Sequence, residues 1–187
     1  MGSLQNRLIF LTGRPGMGKT TVFLRTVDDL TTRGVEVGGM STAEIRTEGM
    51  RIGFKITDLS SGESGVLAHV GLSTGPRVGK YRVNLNDLEE IGVKAIMNAL
   101  RMMEVVAIDE VAPMELCSGS FVEALMKAVE SVKPLLGTLH FRAGGRAVSM
   151  IRNNPSSEII EVTRENREGL HRVVSAKILR LLRAASS

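Results

Sequence analysis

Eight consecutive residues constrain this chain more than any others: Gly13-Arg14-Pro15-Gly16-Met17-Gly18-Lys19-Thr20 fit the pattern G-x-x-x-x-G-K-[ST]. The pattern carries chemistry only between a buried strand and a helix, and both flanks are present. Leu8-Ile9-Phe10-Leu11 is an apolar run of strand length, and after Lys19 the residues Val22, Phe23, Val27 and Leu30 recur at helical spacing, with Gly34 as the expected stop. A loop in that setting wraps a phosphate. Its glycines let the backbone approach closely, its amide N–H groups point inward, and the dipole of the following helix favours an anion. Lys19 is expected to reach the β- and γ-phosphates, the Thr20 hydroxyl to ligate Mg²⁺, and Thr21 to complete the nucleotide-binding set that runs from Gly13. The expected ligand is a nucleoside di- or triphosphate.

The rest of the composition narrows the class. Residues 1–187 are most simply one domain, long enough to bury a core. No apolar run approaches the ~18 residues of a membrane span. The N-terminus lacks a signal-peptide layout, Asn6 stands where a myristoylation signal wants Ser or Thr, and residues 2–6 read as a disordered lead or a cloning remnant. The lone cysteine, Cys117, precludes an internal disulfide and fits a reducing compartment, so the cytoplasm is expected; a monomer is expected as well. A net charge of +4 raises the question of nucleic acid, but the cations are spread along the chain and Tyr81 is the only tyrosine, with no tryptophan to build a stacking platform. Nucleic acid is not favoured. The three histidines and one cysteine make no zinc spacing, and Cys117 and the Met102-Met103 pair read as packing residues.

Strand and helix patterns alternate along the chain. A second strand is expected from Val35 to about Ile45. Arg51 to Leu59 and Val66 to Val70 flank a Ser/Gly turn and read as an inserted β-hairpin, followed by a loop from Gly71 to Lys80. Asn86 with Glu89 suggests a capping box for a helix carrying Leu88, Ile91, Ala95, Ile96 and Ala99. Then come a strand at Val105–Ile108, a helix opened by Ser120 and Glu123 with Phe121, Leu125, Met126 and Val129 on its buried face, and a strand at Leu135–His140. A short helix at Arg146–Asn153, a strand at Glu158–Val162 and a long amphipathic helix from Thr163 complete the order, the last carrying Leu170, Val173, Val174, Ile178 and Leu181. This alternation predicts an α/β fold: a mainly parallel sheet with helices on both faces, whose ligands bind at the carboxyl ends of the strands.

The second chemical signal is Asp109-Glu110, which closes the apolar run Val105-Val106-Ala107-Ile108. A carboxylate at Asp109 completes a Mg²⁺ environment with Thr20, and Glu110 is placed to take a proton from a water in line with the γ-phosphate. At least one strand between Lys19 and Asp109 suits RecA-like ATPases with a catalytic Glu. The guanine-reading N-K-x-D signature is absent. Thr138 and His140 end a core strand and either sense the γ-phosphate or cap the structure. Glu44 and Arg46 either face the phosphates or lie on a solvated edge. His69 and His171 read as ordinary surface or hairpin residues.

Taken together these segments resemble one family, the small P-loop nucleoside-triphosphatases first described from thermophiles, whose human relative is called cancer-related nucleoside-triphosphatase. The resemblance covers about Leu8 to Leu182. It rests on the P-loop, Thr42-Ala43-Glu44-Ile45-Arg46, Arg51-Ile52-Gly53-Phe54, Val78-Gly79-Lys80-Tyr81-Arg82-Val83, Ile108-Asp109-Glu110-Val111-Ala112-Pro113-Met114-Glu115-Leu116, Gly137-Thr138 and Thr163-Arg164-Glu165-Asn166-Arg167. It implies a RecA-like single domain that hydrolyses ATP, GTP, CTP and other NTPs, slowly, with Mg²⁺ and loose base preference. It also implies Gly13–Thr20 as the nucleotide loop, Asp109 as the metal carboxylate and Glu110 as the base. The chain departs from the family's usual pattern at Ala43 (an acid in the family), at Ala112-Pro113 (Gly-Lys) and at His140-Phe141-Arg142 (a Pro-containing loop). A transition-state cation would then come from Arg77, Lys80 or Arg142. The rival readings are a kinase acting on a polynucleotide 5′ end or a small molecule, and a slow nucleotide-dependent switch module.

Overall fold

Leu8 to Leu11 face two cores in alternation, and that alternation organises the whole molecule. The computed structural model describes residues 6–185. In chain order it contains β1 (Leu8–Thr12), α1 (Lys19–Thr32), β2 (Val37–Thr47), β3 (Met50–Asp58), β4 (Ser64–His69), β5 (Arg77–Val78) and β6 (Tyr81–Val83). A helical turn α2 (Leu85–Asp87) runs through a π-helical stretch at Leu88–Val93 into α3 (Lys94–Met102). Then follow β7 (Val105–Val111), a 3₁₀ turn at Glu115–Cys117, α4 (Gly119–Glu130), β8 (Leu135–Leu139), α5 (Arg146–Asn153), β9 (Ser157–Glu161) and α6 (Leu170–Ala185). Leu8 and Phe10 pack with α3, α4 and α5, whereas Ile9 and Leu11 pack with α1 and α6. Strands covered on both faces are apolar throughout, which is why β1 and the first part of β7 read as continuous hydrophobic runs.

The strands make one sheet in the order β5-β6-β4-β3-β2-β7-β8-β1-β9. From β2 to β9 all pairs are parallel; β3, β4, β6 and β5 extend the sheet antiparallel from β2. The α/β architecture is the expected one. The inserted hairpin is larger than expected: β2 runs on to Thr47, and β5, inside the predicted Gly71–Lys80 loop, pairs with β6 just beyond it as a two-stranded ribbon. The order also inserts β8 between the loop-bearing β1 and β7, so the phosphate loop and Asp109 meet across an intervening strand.

Helix starts shift from expectation because polar side chains near them compete for backbone groups. Asn84, not Asn86, caps α2 by accepting from the Asp87 N–H at 3.3 Å, and Ser118, not Ser120, caps α4 by accepting from the Phe121 N–H at 3.1 Å. The last helix begins at Leu170 rather than Thr163, since the Asn166 carboxamide ties Thr163 and Glu161 into a turn. That start leaves Val173 half-exposed on the outer face, while Leu170, Val174 and Ile178 are buried. Of the predicted N-terminal lead, residues 2–5 lie outside the described residues. No described helix is long and apolar enough to cross a membrane.

Candidate active site

The loop after β1 turns sharply enough that glycine is required at its ends. Gly13 has φ +146°, and a Cβ there would stand 2.8 Å from the Val162 carbonyl oxygen; Gly18, with φ +100°, is the left-handed residue from which α1 starts. A side chain at either position costs of order 1 kcal/mol or more in backbone strain alone. Arg14 and Pro15 at the loop's apex are exposed, Met17 packs against the α1–α6 core, and the Met17 N–H donates to the Arg14 carbonyl at 3.2 Å. Thr21 follows on the exposed side of α1.

Lys19 and Thr20 open α1 and point across β8 to the end of β7. Lys19 Nζ donates to the Gly13 carbonyl at 3.3 Å and forms an ion pair with Glu110 Oε1 at 3.4 Å. That pair lacks hydrogen-bond geometry, and Glu110 Oε1 has no hydrogen-bond partner. Thr20 Oγ1 donates to Asp109 Oδ1 at 3.3 Å, and Thr138 Oγ1, from β8, donates to the same oxygen at 2.5 Å. Asp109 is wholly buried, and its other oxygen, Oδ2, has no partner. Burial pushes the Asp109 carboxyl up to about 6; the Thr138 hydroxyl opposes that most, the Glu110 charge adds to it, and Thr20 and Lys19 oppose it in turn.

These residues fit a hard divalent cation. A buried carboxylate oxygen left without a donor beside a threonine hydroxyl is a half-built oxygen site. Among the described residues no three His, Cys, Asp or Glu side chains cluster as a metal cage. P-loop sites need none, since phosphate oxygens and water complete the metal shell.

Other predicted polar residues separate from this centre. Thr138 belongs to it through Asp109. The ring of His140 accepts from the Arg142 N–H at 3.1 Å and shapes the loop after β8. Glu44, at the tip of β2, accepts from Arg51 at 2.7 Å and from Arg46 at 2.8 Å, so it is committed to its neighbours on the antiparallel extension. Arg77 and Lys80 sit at the far edge of the sheet, five positions from β7, roughly 24 Å at ordinary strand spacing. There Arg77 donates to the Gly79 carbonyl at 3.0 Å and Lys80 lies over the Tyr81 ring. Arg142 instead follows β8, next to β7, with an exposed side chain. Cys117 is exposed rather than packed, with its thiol pushed up by partial burial and by Glu115.

Sequence reasoning passed over Glu115 except as part of a segment. Its carboxyl is buried, with one oxygen unpartnered, and burial, with Glu110 and Asp109 nearby, pushes it well above the usual carboxylate range. The only advance signal was an acid between Met114 and Leu116.

A model of the NTPase family matches residues 8–175. The chain belongs to this NTPase family. The nucleoside-triphosphatase THEP1 of Thermofilum pendens is 47% identical over 174 residues, covering 92% of this chain and 95% of the relative. THEP1 of Methanosarcina acetivorans is 45% identical over 175 residues, covering 93% and 98%. Among solved structures, the crystal structure of THEP1 from Aquifex aeolicus is similar with a TM-score of 0.81 at 28% identity, covering 91% of this chain and 98% of that one. The solution structure of a human cancer-related nucleoside triphosphatase is similar with a TM-score of 0.77 at 36% identity, covering 91% and 96%. The NTPase match spans the phosphate loop, Asp109-Glu110 and the turn before α6.

Proposed function

We propose that this chain hydrolyses nucleoside triphosphates, ATP, GTP and CTP among them, to nucleoside diphosphate and phosphate, with Mg²⁺ and little preference for the base. The observation that carries the reading is the convergence of Lys19, Thr20, Asp109 and Glu110 from opposite sides of β8. Residues Gly13 to Thr21 cradle the phosphates, and Lys19 exchanges its Glu110 partner for the β- and γ-phosphate oxygens. Glu110, released from that ion pair, holds a water in line and accepts its proton as the water oxygen bonds to the γ-phosphorus and the bond to the β–γ bridging oxygen breaks. Thr20 and Asp109 would hold Mg²⁺, which when bound neutralises charge on the phosphates. Thr138 keeps Asp109 turned toward that position. Arg142 is the favoured source of a transition-state cation, because its loop neighbours β7. The activity resides in a single domain, acting as a cytoplasmic monomer.

Incubating the protein and Mg²⁺ with γ-labelled ATP, GTP, CTP and UTP, with and without 5′-hydroxyl oligonucleotides, tests this. Label released as free phosphate from all four is the expected result. Label on the oligonucleotide would make the chain a kinase instead.

A further inference from the structure

A second cleft opens on the side of the phosphate loop away from Glu110. It lies between the first turns of α1 and the turn after β9, and Gly18, Thr21, Val22, Arg25, Arg167 and Glu168 line it. Arg167 crosses close to the loop: a Cβ on Gly18 would stand 3.8 Å from its Cδ. Glu168 ties two arginines together, with Oε1 3.4 Å from Arg167 Nε and Oε2 3.2 Å from Arg25 Nη1. The turn beneath is anchored. Asn166 Oδ1 accepts from the Thr163 N–H at 2.9 Å, its Nδ2 donates to the Glu161 carbonyl at 2.8 Å, and the Arg167 N–H donates to the Thr163 carbonyl at 3.1 Å.

Strand order decides which part of a nucleotide meets this cleft. β7, with Asp109 and Glu110, lies on one side of β1, and β9 lies on the other. A terminal phosphate held by Lys19, on the β7 side of the loop, therefore sends the rest of the molecule back over Gly18 toward β9. β7 and β9 are three strand spacings apart, about 14 Å, comparable to an extended nucleoside triphosphate.

We propose that Arg167 is the platform on which the nucleobase stacks, beside Val22 and Thr21, with its guanidinium paired to Glu168, which Arg25 holds from the other side. The proposal rests on the phosphate-loop reading above. A guanidinium plane stacks on any base, since every base presents a π-face. No aromatic side chain lines the cleft, and each Glu168 oxygen already faces an arginine, so no carboxylate is set aside to read a base edge. A flat, charged and unselective platform is the chemistry that broad base acceptance requires.

The test measures Mg²⁺-dependent binding of the β,γ-imido analogues of ATP, GTP, CTP and UTP against inorganic tripolyphosphate, by calorimetry. The natural protein should favour every analogue over tripolyphosphate. Arg167→Ala should cut that preference roughly tenfold for all four bases alike, the size of one lost stacking contact. Arg167→Tyr, which restores a plane, should hold the preference; Arg167→Lys, which keeps charge without a plane, should lose it as alanine does. A preference unchanged in Arg167→Ala, a loss confined to one base, or full retention in Arg167→Lys overturns the proposal. A natural protein that binds neither tripolyphosphate nor analogues overturns the phosphate-loop reading instead.

Discussion

Lys19 Nζ stands 3.4 Å from Glu110 Oε1, although Lys19 opens the helix that follows β1, Glu110 lies near the end of β7, and β8 runs between those two strands. The ammonium also holds the Gly13 carbonyl at 3.3 Å. Before nucleotide arrives, the residue read as phosphate ligand and the residue read as base are thus paired by charge alone, and Glu110 Oε1 keeps no hydrogen-bond partner. Both side chains are mostly enclosed, at 11% and 22% exposure, so a phosphate that draws Lys19 away leaves Glu110 without its cation, facing the new ligand.

Glu110→Gln should keep nucleotide binding and lower turnover by a factor of ~100 or more, the usual cost of losing a general base. Single-turnover phosphate release beside calorimetric binding checks both halves. Turnover that survives the substitution would remove Glu110 from the chemistry.

Lys19→Ala should lose binding and turnover together, because the proposed function has the same ammonium position and polarise the phosphates. Fluorescent-nucleotide titration reads the binding half directly. Normal affinity in this variant would place the phosphates elsewhere.

Thr138→Val should raise the Mg²⁺ concentration for half-maximal turnover roughly 10–100-fold, as is typical when a hydroxyl that orients a metal carboxylate is removed. Thr138→Ser, which restores the donor to Asp109 Oδ1, should recover most of it. A Mg²⁺ titration that is the same for valine and threonine would contradict this role.

Asp109 makes the nucleotide-free protein sensitive to pH. Its folded carboxyl titrates at about 6, above the ordinary 3.8, so between those values the folded state binds more protons than the unfolded one. Stability therefore falls as pH rises through that window and stays lower above it, by on the order of 3 kcal/mol from this group. Asp109→Asn should be more stable than the natural protein at pH 7 and should show a shallower decline from pH 4 to 6. Urea melts across pH 4–8 decide the matter; parallel curves for the two proteins would refute it.

Arg142→Ala should lower turnover about tenfold or more if that loop supplies transition-state charge, whereas Arg77→Ala and Lys80→Ala should fall within about twofold of the natural rate. Steady-state rates at saturating Mg²⁺ and ATP separate the three. A large loss in Arg77→Ala would contradict the strand order's implication.

The residues of the centre were legible early because their chemistry is local. The phosphate loop must follow a buried strand and open a helix, and Leu8–Leu11 and Val22–Leu30 announce both flanks by period alone. Asp109-Glu110 was legible for the same reason, since it ends an apolar run. Helix starts were misread by two residues at Asn84 and Ser118, and by seven at α6, where Asn166 takes backbone groups that the helical pattern seemed to claim. The ribbon at Arg77–Val83 was hidden because its short strands gain stability only by pairing with β4 and with each other.

Spacing along the chain carries most of the element types, the apolar faces of the strands and helices, and the motifs that mark Gly13–Thr20 and Asp109-Glu110 as candidate site residues. Which residues meet was decided by the tertiary structure. Only strand order brings Thr138 onto Asp109, carries Arg77 and Lys80 to the far edge, leaves Arg142 beside β7 and sets Arg167 against Gly18. The reason is that a parallel sheet joins strands through crossovers, so sequence neighbours need not be spatial neighbours, and contacts across β8 have no local signature.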